Sequence, residues 1–192
     1  MKRPALALTL AAIAALPPMG AQSTNHTMPR PVAASTAPTN HIPQIMLASL
    51  EKNFDDRLGM LNGSDPIDML GGTRALYVPG FGVVFTTEVS LVVAPGAMPL
   101  PYQQEFSPAQ KAQVHKRKTA QLPKLEGLMK DLMNVCARTL TTMSDDQKVV
   151  VAVRLRYLMW EDTTDLPAQI VMTADKKSAQ LGDIKTDRKS VV

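Results

Sequence analysis

From Pro43 the chain repeats apolar side chains at helical intervals: Ile45, Leu47, Leu50, Phe54, Leu58 and Leu61, with Glu51, Lys52, Asp55 and Asp56 between them. That spacing predicts an amphipathic helix. Asn62-Gly63 offers a stop, and Ser64-Asp65-Pro66 opens one further turn that Gly71-Gly72 ends. The period then drops to two. Ala75 to Val78 forms a short run. In Val83 to Val93, Val83, Phe85, Val89, Leu91 and Val93 face one way, and Thr86, Glu88 and Ser90 the other. Such alternation predicts a strand with one packed and one wet face.

A proline-rich loop with Pro95, Pro99 and Pro101 follows. Ser107-Pro108-Ala109-Gln110 then supplies a capping box, with proline at the first helical position. The helix should reach about Met143, bend at Pro123, and carry a core stripe of Leu125, Leu128, Met129, Leu132, Met133, Cys136 and Leu140. Val149 to Met159 alternates as a second long strand, and Ile170 to Ala174 as a short one. Asp175 to Leu181 makes a last helical turn ended by Gly182. The order α, β-β, α, β-β predicts an α+β fold: a four-stranded antiparallel sheet from two hairpins, packed by one long helix, with an additional N-terminal helix.

Domain organisation follows from the shifts in composition. Lys2 and Arg3 precede an uncharged apolar stretch from Ala5 to Leu16. Pro17, Pro18 and Gly20 break it, and Ala21 is a small residue for cleavage. Residues 1–21 therefore read as a signal peptide, too short to span a membrane, which predicts a secreted or periplasmic protein without a transmembrane segment after its removal. Residues 22–42, rich in Ser, Thr, Ala and Pro, read as a flexible linker, residues 43–182 as a single domain, and residues 183–192 as a charged tail.

Charge and cysteine content narrow the partners. The formal charge of +4 falls to +2 without Lys2 and Arg3, which gives little bulk attraction for nucleic acid. With Cys136 as the only cysteine, an exported chain has no internal disulfide and depends on its core.

Few residues point to chemistry. Gly80-Phe81-Gly82 resembles a phosphate-cradling loop, but the third glycine, a following helix and a partner lysine are missing. Pro79 and Gly80 instead suit the central positions of a type II turn, with Gly82 a bulge or kink at the base of the hairpin. Cys136 lies on the apolar stripe and reads as an inert core thiol. The histidines and methionines show no metal-ligand spacing, so neither a metal nor a cofactor is expected.

Two surfaces remain. Lys111, Lys116, Arg117 and Lys118 lie in a stretch free of acids from Phe106 to Leu125, and Lys111, His115 and Lys118 share one helical face. That face could meet an anionic surface or an acidic envelope protein; lacking aromatics for base stacking, it is not expected to bind nucleic acid. Trp160, Glu161, Asp162 and Asp165 form an aromatic and acidic loop that could hold a sugar, a cation or a partner.

"ALYVPGFGVVFTTEVSLVV" and "YLMWEDTTDLPAQIVMTA" together resemble an uncharacterised group of predicted secreted proteins from soil bacteria of the acidobacterial kind. The resemblance covers roughly Thr73 to Ala174 and implies an exported bacterial α+β domain. It assigns no residue a role. The leading expectation is thus a non-enzymatic binding domain of the cell envelope. One alternative is a small-molecule or sensory domain with a cavity between helix and sheet. The other is a hydrolase using Glu161 to Asp165, which needs a second carboxylate or a histidine close by.

Overall fold

The computed structural model of the protein describes residues 41–61, 63–94 and 106–190. The expected signal peptide, most of the linker and the proline-rich loop lie outside them. Helix α1 (Gln44–Gly59) buries Leu47, Leu50, Phe54 and Leu58, while Ile45 faces solvent. Ile42, assigned to the linker by composition, is only 3% exposed and belongs to the core. Where a further helical turn was expected, the chain forms a two-residue strand, β1 (Asp68–Met69).

Strands β2 (Arg74–Val78) and β3 (Gly82–Ser90) make the first antiparallel pair. Helix α2 (Pro108–Thr139) starts from the Ser107 capping box, with both reciprocal hydrogen bonds present, and runs through Pro123. Its N-terminal half is not simply polar, because Val114, Lys118, Gln121 and Leu122 are buried. Strand β4 (Lys148–Leu155) and β5 (Pro167–Asp175) pair antiparallel, α3 (Lys176–Leu181) follows, and β6 (Lys185–Ser190) closes the described chain. Gly182 ends α3 in the left-handed conformation that glycine tolerates best.

The sheet has six strands rather than four, and it is mixed rather than antiparallel. Its order is β1-β3-β4-β5-β6, with β2 also on β3. Both expected antiparallel pairs form, but β3 and β4 meet side by side in parallel, from Gly82↔Lys148 to Val89↔Leu155. Alternation of apolar side chains is the same in either direction, so the sequence pattern could not tell them apart. The 32-residue helix α2 is the crossover that a parallel pair needs and a tight turn cannot supply.

The residues expected as a charged tail form β6, paired to β5 with every residue exposed. Strand β4 ends at Leu155, four residues before Met159, which is fully exposed.

One face of this sheet carries the core. Phe85, Val151, Ile170 and Met172 pack with Leu125, Met129, Leu132, Met133 and Cys136 of α2, all 0–1% exposed. The space between α2 and the sheet centre is therefore filled by side chains, and the clefts lie at strand ends and margins instead.

The hairpin between β2 and β3 contains Gly80 and Gly82. Phe81 N–H donates to Val78 O at 3.0 Å across Pro79-Gly80, and Gly80 has φ +76°, as a type II turn requires. Gly82 does more than bend the strand. At φ +137°, a Cβ there would lie 2.0 Å from Lys148 O and 2.6 Å from Lys148 N. Absence of a side chain at Gly82 lets β4 approach β3.

Candidate functional site

The two surfaces singled out by sequence meet each other. Lys118 is 0% exposed, and its ammonium donates to the carboxylate of Glu161, whose side chain is 1% exposed. The same nitrogen reaches Arg156 O at 3.4 Å and lies 4.8 Å from the centre of the Tyr157 ring. One turn earlier on α2, His115 Nδ1 is 3.1 Å from Asp162 O, and Trp160 stacks on Phe106 with ring centres 4.1 Å apart. The helical face shared by His115 and Lys118 is real, and its occupant is the protein's own loop.

This changes the reading of the basic run. Lys118 is no surface cation. Arg117 is held by Asp65 through Nε at 2.8 Å and through its terminal nitrogen. That hydrogen bond raises the Arg117 pKa above its ordinary value, against the cost of burial. Lys111 and Lys116 remain without an ion pair among the described residues.

Burial pushes the Lys118 pKa down, and the hydrogen bond and charge of Glu161, with a smaller contribution from Asp68, oppose it. Burial likewise pushes the Tyr157 hydroxyl up, with the charge of Glu161 adding to the effect. That hydroxyl donates to Pro167 O at 2.7 Å, tying the start of the loop to its end.

The acidic loop has the histidine that the hydrolase reading asks for close by, but not bonded to a carboxylate. His115 contacts the main-chain carbonyl of Asp162, while the Asp162 carboxylate accepts from Thr164 N at 3.0 Å. This backbone hydrogen bond holds the Asp162 carboxyl below its ordinary value. Asp165 sits at φ 58°, exposed, in an open cleft of about 470 Å³ lined also by Thr163, Thr164, Arg188 and Ser190. There Arg188 is already engaged by Glu126 through two hydrogen bonds of 2.7 and 2.8 Å.

A smaller cleft, about 250 Å³, offers more chemistry. It lies where β3 and the parallel β4 end, and Asp68, Ser90, Arg156 and Tyr157 line it with the aliphatic Leu70, Ala94 and Leu158. Asp68 stands directly opposite Ser90 across the β1–β3 pair. Arg156, just past β4, donates its backbone N–H to Val89 O at 2.9 Å, which sets it on the other side of β3. Glu88 holds the Arg156 Nε at 2.9 Å, which leaves the terminal guanidinium nitrogens for another acceptor. The Asp68 carboxylate has no hydrogen bond or ion pair among the described residues.

Sequence reasoning missed this cleft. Asp68 lay in an expected helical turn and Arg156 inside an expected strand; the one available signal was their shared neighbour Ser90, at the end of the clearest strand.

No group of three or more His, Cys, Asp or Glu gathers as a metal site among the described residues, and none of their helices is long and apolar enough to cross a membrane. Architecture and cleft together define an α+β domain with a mixed sheet and a partly apolar cleft at the carboxyl ends of the parallel β3–β4 pair. No protein-family model, curated protein or solved structure matches the chain.

Proposed function

We propose that the chain is an exported bacterial binding domain without catalytic chemistry of its own, holding a small molecule in the cleft between Asp68 and Arg156. One observation carries this reading. A carboxylate and a guanidinium, each with bonding capacity left over, line one partly apolar cleft, while Lys118 and Glu161, and Arg117 and Asp65, are paired with one another. In open α/β sheets ligands bind outside the carboxyl ends of the parallel strands, and this cleft lies at the corresponding end of β3 and β4. The envelope-partner reading, by contrast, loses two of its four cations to internal pairs.

Export rests on the charged and apolar pattern of residues 1–21 and on the resemblance to predicted secreted bacterial proteins. Native mass spectrometry of the full chain purified from a bacterial host tests the binding reading. We expect a retained small molecule that disappears in the Asp68→Asn/Arg156→Gln variant. Identical spectra for both proteins would sink it.

A further inference from the structure

Resting on the reading above, we infer that the cleft takes a zwitterionic α-amino acid with a small aliphatic side chain. β1 and β4 flank β3 on opposite sides, and neighbouring strands lie about 4.8 Å apart. Asp68 and Arg156 therefore approach one ligand from two directions, with Ser90 between them.

The acceptors converge on one side. The Ser90 hydroxyl donates to Val92 O at 2.9 Å, so its oxygen is left to accept, beside the Asp68 carboxylate. An ammonium group supplies the donors both need. On the other side, Glu88 fixes the Arg156 Nε and leaves the fork of the guanidinium for a carboxylate. Leu70, Ala94 and Leu158 make the remaining wall, which suits an aliphatic side chain. A volume of about 250 Å³ fits a molecule of that size and is small for a nucleotide. A purely anionic ligand would leave Asp68 without a partner, and a purely cationic one would leave the terminal guanidinium nitrogens of Arg156 unused.

The test is an NMR titration of the ¹⁵N-labelled full chain with three probes: L-leucine, leucinamide and N-acetyl-leucine. Leucine should saturate, with shifts centred on Asp68, Ser90 and Leu158. Removing one charge-assisted contact should weaken leucinamide and N-acetyl-leucine by about tenfold or more each. Asp68→Asn should weaken leucine and leucinamide but spare N-acetyl-leucine, and Arg156→Gln should weaken leucine and N-acetyl-leucine but spare leucinamide. If a singly charged probe shifts the cleft residues as tightly as leucine, the zwitterion proposal falls and the binding-cleft reading stands. If leucine leaves the cleft residues unmoved while native mass spectrometry shows another molecule retained, this proposal again falls alone. If no probe moves them and nothing is retained, both fall.

Discussion

At the scale of single residues, Gly80 and Gly82 look alike in sequence and carry different constraints. Gly80 needs a positive φ but has open space around it; Gly82 needs both its φ and the room that a Cβ would take from Lys148. Alanine at Gly80 should cost about 1–2 kcal/mol, the usual penalty of a left-handed conformation. Alanine at Gly82 adds a backbone clash where β3 and β4 begin to pair and should cost at least about 3 kcal/mol, or prevent folding. Urea denaturation checks the order, and equal losses would contradict the close-approach account.

Cys136 makes a second prediction. Burial pushes its thiol well above the ordinary value of 9.0, so the folded state keeps a proton that the unfolded chain releases. Its contribution to stability is complete below pH 9.0 and is lost as pH rises above that value, by about 1.4 kcal/mol per pH unit. Tyr157 acts in the same direction at somewhat higher pH, while the lowered pKa of Lys118 acts in the opposite one. Cys136→Ala should flatten the first part of the alkaline decline in melting temperature, visible by calorimetry between pH 9 and 10.

At the scale of elements, the loop between β4 and β5 and the first turns of α2 form one unit. Lys118 and Glu161 are both dry, so removing one strands the other charge. Lys118→Met should cost about 3–5 kcal/mol, and the double variant Lys118→Met/Glu161→Leu should recover most of it. Thermal denaturation of the single and double variants decides this; a loss under about 1 kcal/mol for Lys118→Met would mean the pair is solvated. Neutralising all four basic residues would for this reason disturb the fold, and only Lys111 and Lys116 can probe an anionic surface cleanly.

Elements were the most legible scale in the sequence. The capping box, the stripe from Leu125 to Leu140, and the turn at Pro79-Gly80 all depend on local chemistry, and they lie where pattern put them. Lys118 was illegible because a lysine in a polar helical stretch reads as solvated until a distant carboxylate covers it. Asp55-Asp56 illustrates the same divide. The two diverge as adjacent helical residues must, Asp56 to Lys52 at 2.9 Å and Asp55 to Thr73 N at 3.0 Å, but only the first contact is local.

At the scale of the molecule, sheet order and the edge strands were hidden. β6 consists of Lys185-Thr186-Asp187-Arg188-Lys189-Ser190, a composition that reads as a solvated tail. It pairs with β5, whose Ile170, Val171 and Met172 would otherwise sit in an edge strand. Lysine-rich edges discourage pairing between molecules. A chain truncated after Ile184 should keep its core but self-associate, which light scattering at rising protein concentration would register. A truncated chain that stays monomeric would argue against this protective role.

The parallel seam between β3 and β4 also governs how the chain reaches this structure. β2 and β3 close through a turn of three residues, and β4 and β5 through a loop of eleven, whereas Gly82 and Lys148 stand 66 positions apart. Closing so long a loop is entropically unfavourable until many contacts form together. Helix α2 and the hairpins β2–β3 and β4–β5 rest on more local contacts, so the joining of β3 to β4 is the expected slow step. In kinetic terms, a side chain at Gly82 obstructs that joining, so Gly82→Ala should slow refolding more than it speeds unfolding, which stopped-flow measurements in urea would show.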